Sequence, residues 1–153
     1  MIGIVNYGMG NLLSVYNALD FIGANVEICH TPKELINKEK IILPGVGSFD
    51  WAMNRLSSSG MLEELNKAVL DREIPILGVC VGMQMLFSSS VESPGVAGLD
   101  VIHGTVELIE GNVRRPQMQW NELHVENEDP LFASLPKTPW VYFVHSYSAV
   151  PTD

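Results

Sequence analysis

An α/β fold built on a mostly parallel sheet, with helices on both faces and a smaller antiparallel extension, is predicted by two features of the sequence. Short apolar runs that read as fully buried strands alternate with segments whose apolar residues recur at helical spacing, and glycine or proline punctuates nearly every junction. From residue 88 onward the runs shorten and are joined by Pro- and Gly-containing loops, as in strands that pair back on one another.

Residues 1–5 form the first apolar run and end in Asn6-Tyr7-Gly8-Met9-Gly10, a strand followed by a glycine turn. Leu12, Val15, Tyr16, Leu19 and Ile22 then fall at helical spacing, with Asn11 at the N-cap position and Gly23 placed to end the helix. Residues 25–29 read as a second strand. Thr31-Pro32 suits the cap and first position of a short polar helix, which leads to a third strand at 40–43, closed by Pro44-Gly45-Val46-Gly47. Residues 48–56 and 61–70 carry helical alternation on either side of the breaker Gly60. A fourth strand is expected at 74–79, and 83–87 reads as the start of another helix. Later strands are expected at 106–109, 123–125 and 141–144.

At 153 residues the chain is the size of one domain, here taken as 1–153, and its 46% apolar content supplies a core that disordered chains lack. Nine Lys plus Arg against eighteen Asp plus Glu leave a charge of −9, which argues against nucleic acid or an anionic membrane as partner. No run nears the roughly 20 apolar residues of a membrane span, and the N-terminus lacks a basic leader, so a soluble, cytoplasmic protein is expected. There the two cysteines, Cys29 and Cys80, are expected to remain thiols.

In open α/β sheets ligands bind beyond the carboxyl ends of the strands, which directs attention to residues 6–11, 44–47 and 78–82. Cys80 follows a predicted strand and opens a predicted helix between Gly78 and Gly82, the strand–turn–helix arrangement of a nucleophile elbow. A helix N-terminus favours thiolate, the reactive form of a thiol. The local pattern leaves two readings open, a nucleophile and a buried small hydrophobe; for Cys29, which has no such neighbours, the second prevails. Gly45, Val46 and Gly47 could present successive N–H groups to an oxyanion, and such a nest facing a cysteine elbow is acyl-transfer chemistry; a plain strand-to-helix turn is the competing reading. None of His30, His103, His124 and His145 makes a metal-ligand spacing with another His or Cys, so no metal and no cofactor is expected. His145, at the end of an apolar run, is the histidine best placed for chemistry, although strand-end histidines are commonly structural.

Taken together, Asn6-Tyr7-Gly8-Met9-Gly10-Asn11 with Ser14-Val15, Leu43-Pro44-Gly45-Val46-Gly47-Ser48-Phe49, Gly78-Val79-Cys80-Val81-Gly82-Met83-Gln84, Trp120-Asn121 and Tyr142-Phe143-Val144-His145-Ser146-Tyr147 resemble, in order along the whole chain, the glutaminase subunits of imidazole glycerol phosphate synthases. These are class I glutamine amidotransferases. The cysteine elbow is shared by that class generally, and the first and last segments narrow the resemblance to these subunits. It implies that Cys80 attacks the carboxamide of glutamine to form a thioester and that ammonia passes to a partner subunit. The backbone around Gly45, Val46 and Gly47, with that of Val81, would stabilise the oxyanion, and Gln84, His145, Ser146 and Tyr147 would surround bound glutamine. Asn11, Met118, Trp120 and Asn121 would face the partner, a (β/α)8-barrel cyclase of histidine biosynthesis.

The chain departs from the family in two places. A later His-Pro-Glu segment supplies the family's catalytic base and the carboxylate that orients it, whereas this sequence ends at Pro151-Thr152-Asp153, inside what looks like the domain interior. A truncated copy of a longer protein is therefore expected, with a non-catalytic binding subunit as the alternative. Around Trp120 the family shows Pro-His-Met-Gly-Trp-Asn, and here Gln117 and Gln119 replace the histidine and the glycine. That leaves room for a paralogue serving another synthase, such as one amidating surface-polysaccharide sugars. A cysteine hydrolase or redox sensor of similar architecture would require neither Trp120-Asn121 nor residues 6–11.

Overall fold

The computed structural model describes every residue except Asn127, Glu128 and Asp153, so the expectation that Asp153 lies in a domain interior falls outside the described residues. The chain divides into two compact units, one of Met1–Leu108 with the chain from Tyr147 onward, the other of Ile109–Ser146.

The first unit is built on four parallel strands, β1 (Ile2–Val5), β2 (Val26–Cys29), β3 (Lys40–Gly45) and β4 (Ile76–Cys80), in the order β2-β1-β3-β4. Five helices, α1 (Leu12–Phe21), α2 (Pro32–Leu35), α3 (Phe49–Ser58), α4 (Met61–Asn66) and α5 (Val81–Gln84), supply the cover. One sheet face is dry: Val5, Cys29, Ile41 and Leu43 pack with Leu35, Phe49, Ala52, Leu56, Met61 and Leu65 in a single core. The opposite face is covered less completely than the alternation predicted. The stripe Leu12, Val15, Tyr16 and Leu19 of α1 is only half-buried over β2, and Leu77 and Val79 on β4 are exposed.

The remaining differences from the sequence reading have local causes. Fourth-strand pairing begins at Ile76 because the Ile74 N–H bonds back to Ala68 O at 2.9 Å. The helix expected over 61–70 gives way to a π-helical turn at Lys67–Asp71. The helix expected from residue 83 stops after one turn. Met85 and Leu86 carbonyls accept from the Leu99 and Ile102 N–H groups at 2.8 and 3.0 Å, so the chain leaves as strand β5 (Phe87–Ser90). Three consecutive serines, poor helix formers, follow Phe87.

β5 lies parallel to β6 (Ile102–Leu108), which pairs antiparallel with β9 (Tyr147–Pro151), forming a second sheet in the first unit. The second unit contains an antiparallel ribbon of β7 (Gln117–Glu122) and β8 (Trp140–His145). The strand anticipated at 123–125 lies instead at Gln117–Glu122, where polar Gln117, Gln119 and Asn121 alternate with Met118 and Trp120. Polar residues on one ribbon face mask the run as a loop in the sequence.

Backbone packs closely where β3 meets the turn into α5. A Cβ added to Gly82 would fall 1.9 Å from Leu43 O, and one added to Gly45 2.3 Å from Gly82 N. Gly82→Ala is therefore expected to destabilise the protein by about 3 kcal/mol, since backbone cannot yield as a side chain does. Gly111→Ala, with φ +92° and nothing within 4 Å of its added Cβ, should cost only about 1 kcal/mol of conformational strain. Denaturant midpoints measure both; equal losses would contradict the packing argument.

Candidate functional site around Cys80

Cys80 closes β4 at φ +56°, ψ −119°, a conformation that a residue with a Cβ adopts only when its surroundings impose it. Three glycines impose it here. Gly45 pairs with Cys80 across β3 and β4 and touches the Gly82 backbone, Gly82 lies against Leu43 O, and a Cβ on Gly78 would meet Met83 Cα at 2.3 Å. The chain turns sharply between these contacts, and the Cys80 side chain is exposed at the strand's carboxyl end. The strand–turn–helix geometry of the sequence reading is thus present, although α5 is a single turn and brings little helix dipole.

Beneath the elbow, Tyr7 is buried and donates its hydroxyl to Pro44 O at 2.7 Å and to Met85 Sδ at 3.7 Å. Burial first, and then the charge of Cys80, push the phenol up to about 12, so it stays a donor and holds the carbonyl just before Gly45. The other flank of the glycine segment is secured from 43 residues away. Glu92 Oε2 accepts from Phe49 N at 2.9 Å and Ser93 Oγ from Asp50 N at 3.1 Å, so these side chains, and not Ser48, cap α3. Ser48 instead donates to Asp50 Oδ1 at 2.6 Å, and this bond, with the Trp51 N–H next, holds the Asp50 carboxyl below its usual range. Sequence reasoning singled out the segment 6–11 without giving Tyr7 a role, and it missed Glu92 and Ser93, which no local signal marks.

Gly45 ends β3 opposite Cys80, Val46 and Gly47 follow it in the chain, and Val81 opens α5 directly after Cys80. Gln84 ends α5, buried, and its Nε2 donates to Tyr147 O at 3.4 Å. Asn11 is exposed and caps α1, accepting from Ser14 N at 3.3 Å. His145 and Ser146 belong to the second unit, where His145 ends β8 opposite Gln117 and Ser146 O accepts from Ile109 N at 3.0 Å. Met118 and Trp120 lie on one exposed ribbon face beside Val144 and Tyr142, with the Trp120 and Tyr142 rings edge-to-face at 5.5 Å. Asn121 projects from the opposite face, where its Oδ1 accepts from Gln119 Nε2 at 2.9 Å.

Among the described residues no group of three or more His, Cys, Asp or Glu could hold a metal ion, and no helix is long and apolar enough to cross a membrane. The two thiols differ sharply. Cys29 is fully buried, with its thiol pushed up to about 11 by burial first; Glu27 and Glu34 act the same way and Lys38 against.

Residues 4–153 match the family model for class-I glutamine amidotransferases. The HisH subunit of imidazole glycerol phosphate synthase from Prochlorococcus marinus is 44% identical, over 99% of this chain and 71% of its own length. Its namesakes from Moorella thermoacetica and Leptospira borgpetersenii are 43% and 45% identical, covering 99% and 96% of this chain and 72% and 74% of theirs. In fold, the chain is similar to a crystal structure of a glutamine amidotransferase, with TM-score 0.74 and 21% identity over 94% of this chain and 70% of that one. PurLQS from Thermotoga maritima gives TM-score 0.63 and 23% identity over 99% and 69%.

The exposure of Cys80, and the burial that suppresses ionisation of Cys29, should make one thiol far more reactive than the other. In native protein treated with iodoacetamide at about pH 8, Cys80 is expected to be alkylated at least about tenfold faster than Cys29, as read by peptide mass spectrometry. Equal rates would contradict the contrast between the two environments.

Proposed function

The chain belongs to the class-I glutamine amidotransferase family, and on that premise we propose that it is the glutaminase subunit of a two-subunit imidazole glycerol phosphate synthase. The observation that carries this reading is the Cys80 elbow: an exposed thiol in a strained turn whose glycines leave no room for a Cβ. The 43–45% identity to subunits named for that synthase supports the pathway.

Cys80 Sγ attacks the side-chain carboxamide carbon of glutamine. As the C–S bond forms, the carbonyl electron pair moves onto oxygen, where backbone N–H groups of the segment Gly45, Val46 and Gly47 and of Val81 stabilise it. Collapse of that intermediate breaks the C–N bond and ammonia leaves with the proton taken from the thiol. Water then adds to the thioester, giving glutamate and restoring the thiol. Gln84 and Tyr147 lie beside bound glutamine, a pairing supported by the hydrogen bond from Gln84 Nε2 to Tyr147 O. In the family the proton passes through the histidine of a His-Pro-Glu segment, a motif that residues 1–153 do not contain.

Ammonia passes to a (β/α)8-barrel cyclase, and both subunits work in the cytoplasm. Exposure of Met118, Trp120, Tyr142 and Val144 on one ribbon face supports a partner there, because aromatic and methionine side chains are enriched at protein interfaces. On the first unit, Asn11, exposed at the start of α1, is a second residue that faces the partner.

The test is glutamine-dependent ammonia release by the full-length protein mixed with its cyclase subunit and the nucleotide-derived ligand. Ligand-bound cyclase should raise the rate, and Cys80→Ala should abolish it while leaving complex formation unchanged in a binding assay. Undiminished ammonia release from the variant would overturn the nucleophile, and a rate indifferent to the cyclase would overturn the pathway.

A further inference from the structure

Two side chains outside the acyl-transfer machinery meet over the glycine segment. Trp51, in the first turn of α3, donates its indole N–H to Met9 Sδ at 3.0 Å. A Cβ placed on Gly47 would lie 3.4 Å from Met9 Cε and 4.0 Å from Trp51 Cδ1, so the pair faces that residue across a gap about one methyl group wide. Gly47 itself sits at φ +87°. Met9 lies between Gly8 and Gly10, at φ +82° and +100°, in a turn whose backbone has little intrinsic preference for one conformation.

Two anchors make Trp51 a rigid point of reference. The α3 N-terminus is capped by Glu92 and Ser93, and the following residues Ala52 and Met53 are buried in the core. The indole is nonetheless 57% exposed, so its burial contributes only part of what a core tryptophan would. Its hydrogen bond to a thioether ties a glycine-flanked turn to a capped helix, with Gly47 alongside.

We propose that Trp51 is a positioning residue that acts through Met9 to hold Gly47, and with it the oxyanion-binding segment, in one conformation. The proposal rests on the glutaminase reading above and adds to it two residues that neither touch glutamine nor belong to the elbow. Trp51→Phe keeps a ring over Gly47 and deletes the N–H donor, whereas Met9→Leu keeps the volume and deletes the acceptor. Each deletion permits the segment to sample other conformations, which lowers the fraction of molecules able to stabilise the oxyanion and leaves glutamine binding intact.

Steady-state hydrolysis by the full-length protein in complex with its cyclase subunit reads the effect. Each single variant should lower kcat by about three- to tenfold, in keeping with the loss of one hydrogen bond, with KM unchanged. The double variant should be no worse than either single, because both remove the same interaction. Losses that multiply, or a kcat that does not move, would overturn the proposal. Amide hydrogen exchange distinguishes this from failure of the glutaminase reading, since it needs no turnover. Trp51→Phe should speed exchange at Val46, Gly47 and Ser48 while exchange in β1 and the melting temperature stay as in the parent protein; unchanged exchange at those three amides would contradict the clasp even if no ammonia were ever released.

Discussion

The site depends on two stretches of backbone touching with no side chain between them. Gly82 approaches the Leu43 carbonyl and Gly45 approaches Gly82 N more closely than any Cβ would permit. Because Gly45 is also the register partner of Cys80, this approach decides where β4 ends and how sharply the chain turns. The positive φ of Cys80 is the consequence, and so is the thiol's emergence at the carboxyl end of the sheet instead of in the core. A strained residue persists only where its surroundings determine it, and here they do so through main chain, the least deformable material available.

Around that contact the fold recruits distant residues to stiffen a glycine-rich stretch. Tyr7 holds Pro44 from β1's side, Glu92 and Ser93 hold the start of α3, and the segment Gly45 to Gly47 lies between them. Oxyanion stabilisation benefits from donors already in place before charge develops, and glycine alone does not provide that. The same economy separates the two cysteines. Cys29 fills a core beside the Glu27–Lys38 pair and has its ionisation suppressed by burial, while Cys80 stands at the surface of the turn.

Much of this was legible in the sequence because it is local. Continuous apolar runs identified the four parallel strands, Gly78 and Gly82 marked the elbow about Cys80, and Asn11 caps α1 as its position suggested. What the sequence concealed depends on long-range partners. The helix expected after Met83 became β5 because carbonyls of Met85 and Leu86 found donors at Leu99 and Ile102. Likewise, the start of α3 is capped by residues 43 positions away, a partnership that no local pattern displays. The ribbon at Gln117–Glu122 was hidden by polar residues whose strand character appears only when β8 lies alongside. Gln84 could be named from its motif, but its bond to Tyr147 O joins residues 63 apart.

The central claim, that Cys80 is the atom that takes glutamine's acyl group, is tested most directly by trapping that group. Full-length protein in complex with its cyclase subunit would be mixed with radiolabelled glutamine, quenched in acid during turnover, digested and mapped. The account predicts label on the peptide that contains Cys80, released by hydroxylamine as expected of a thioester. Label on the Cys29 peptide, or ammonia release with no covalent label at all, would contradict it.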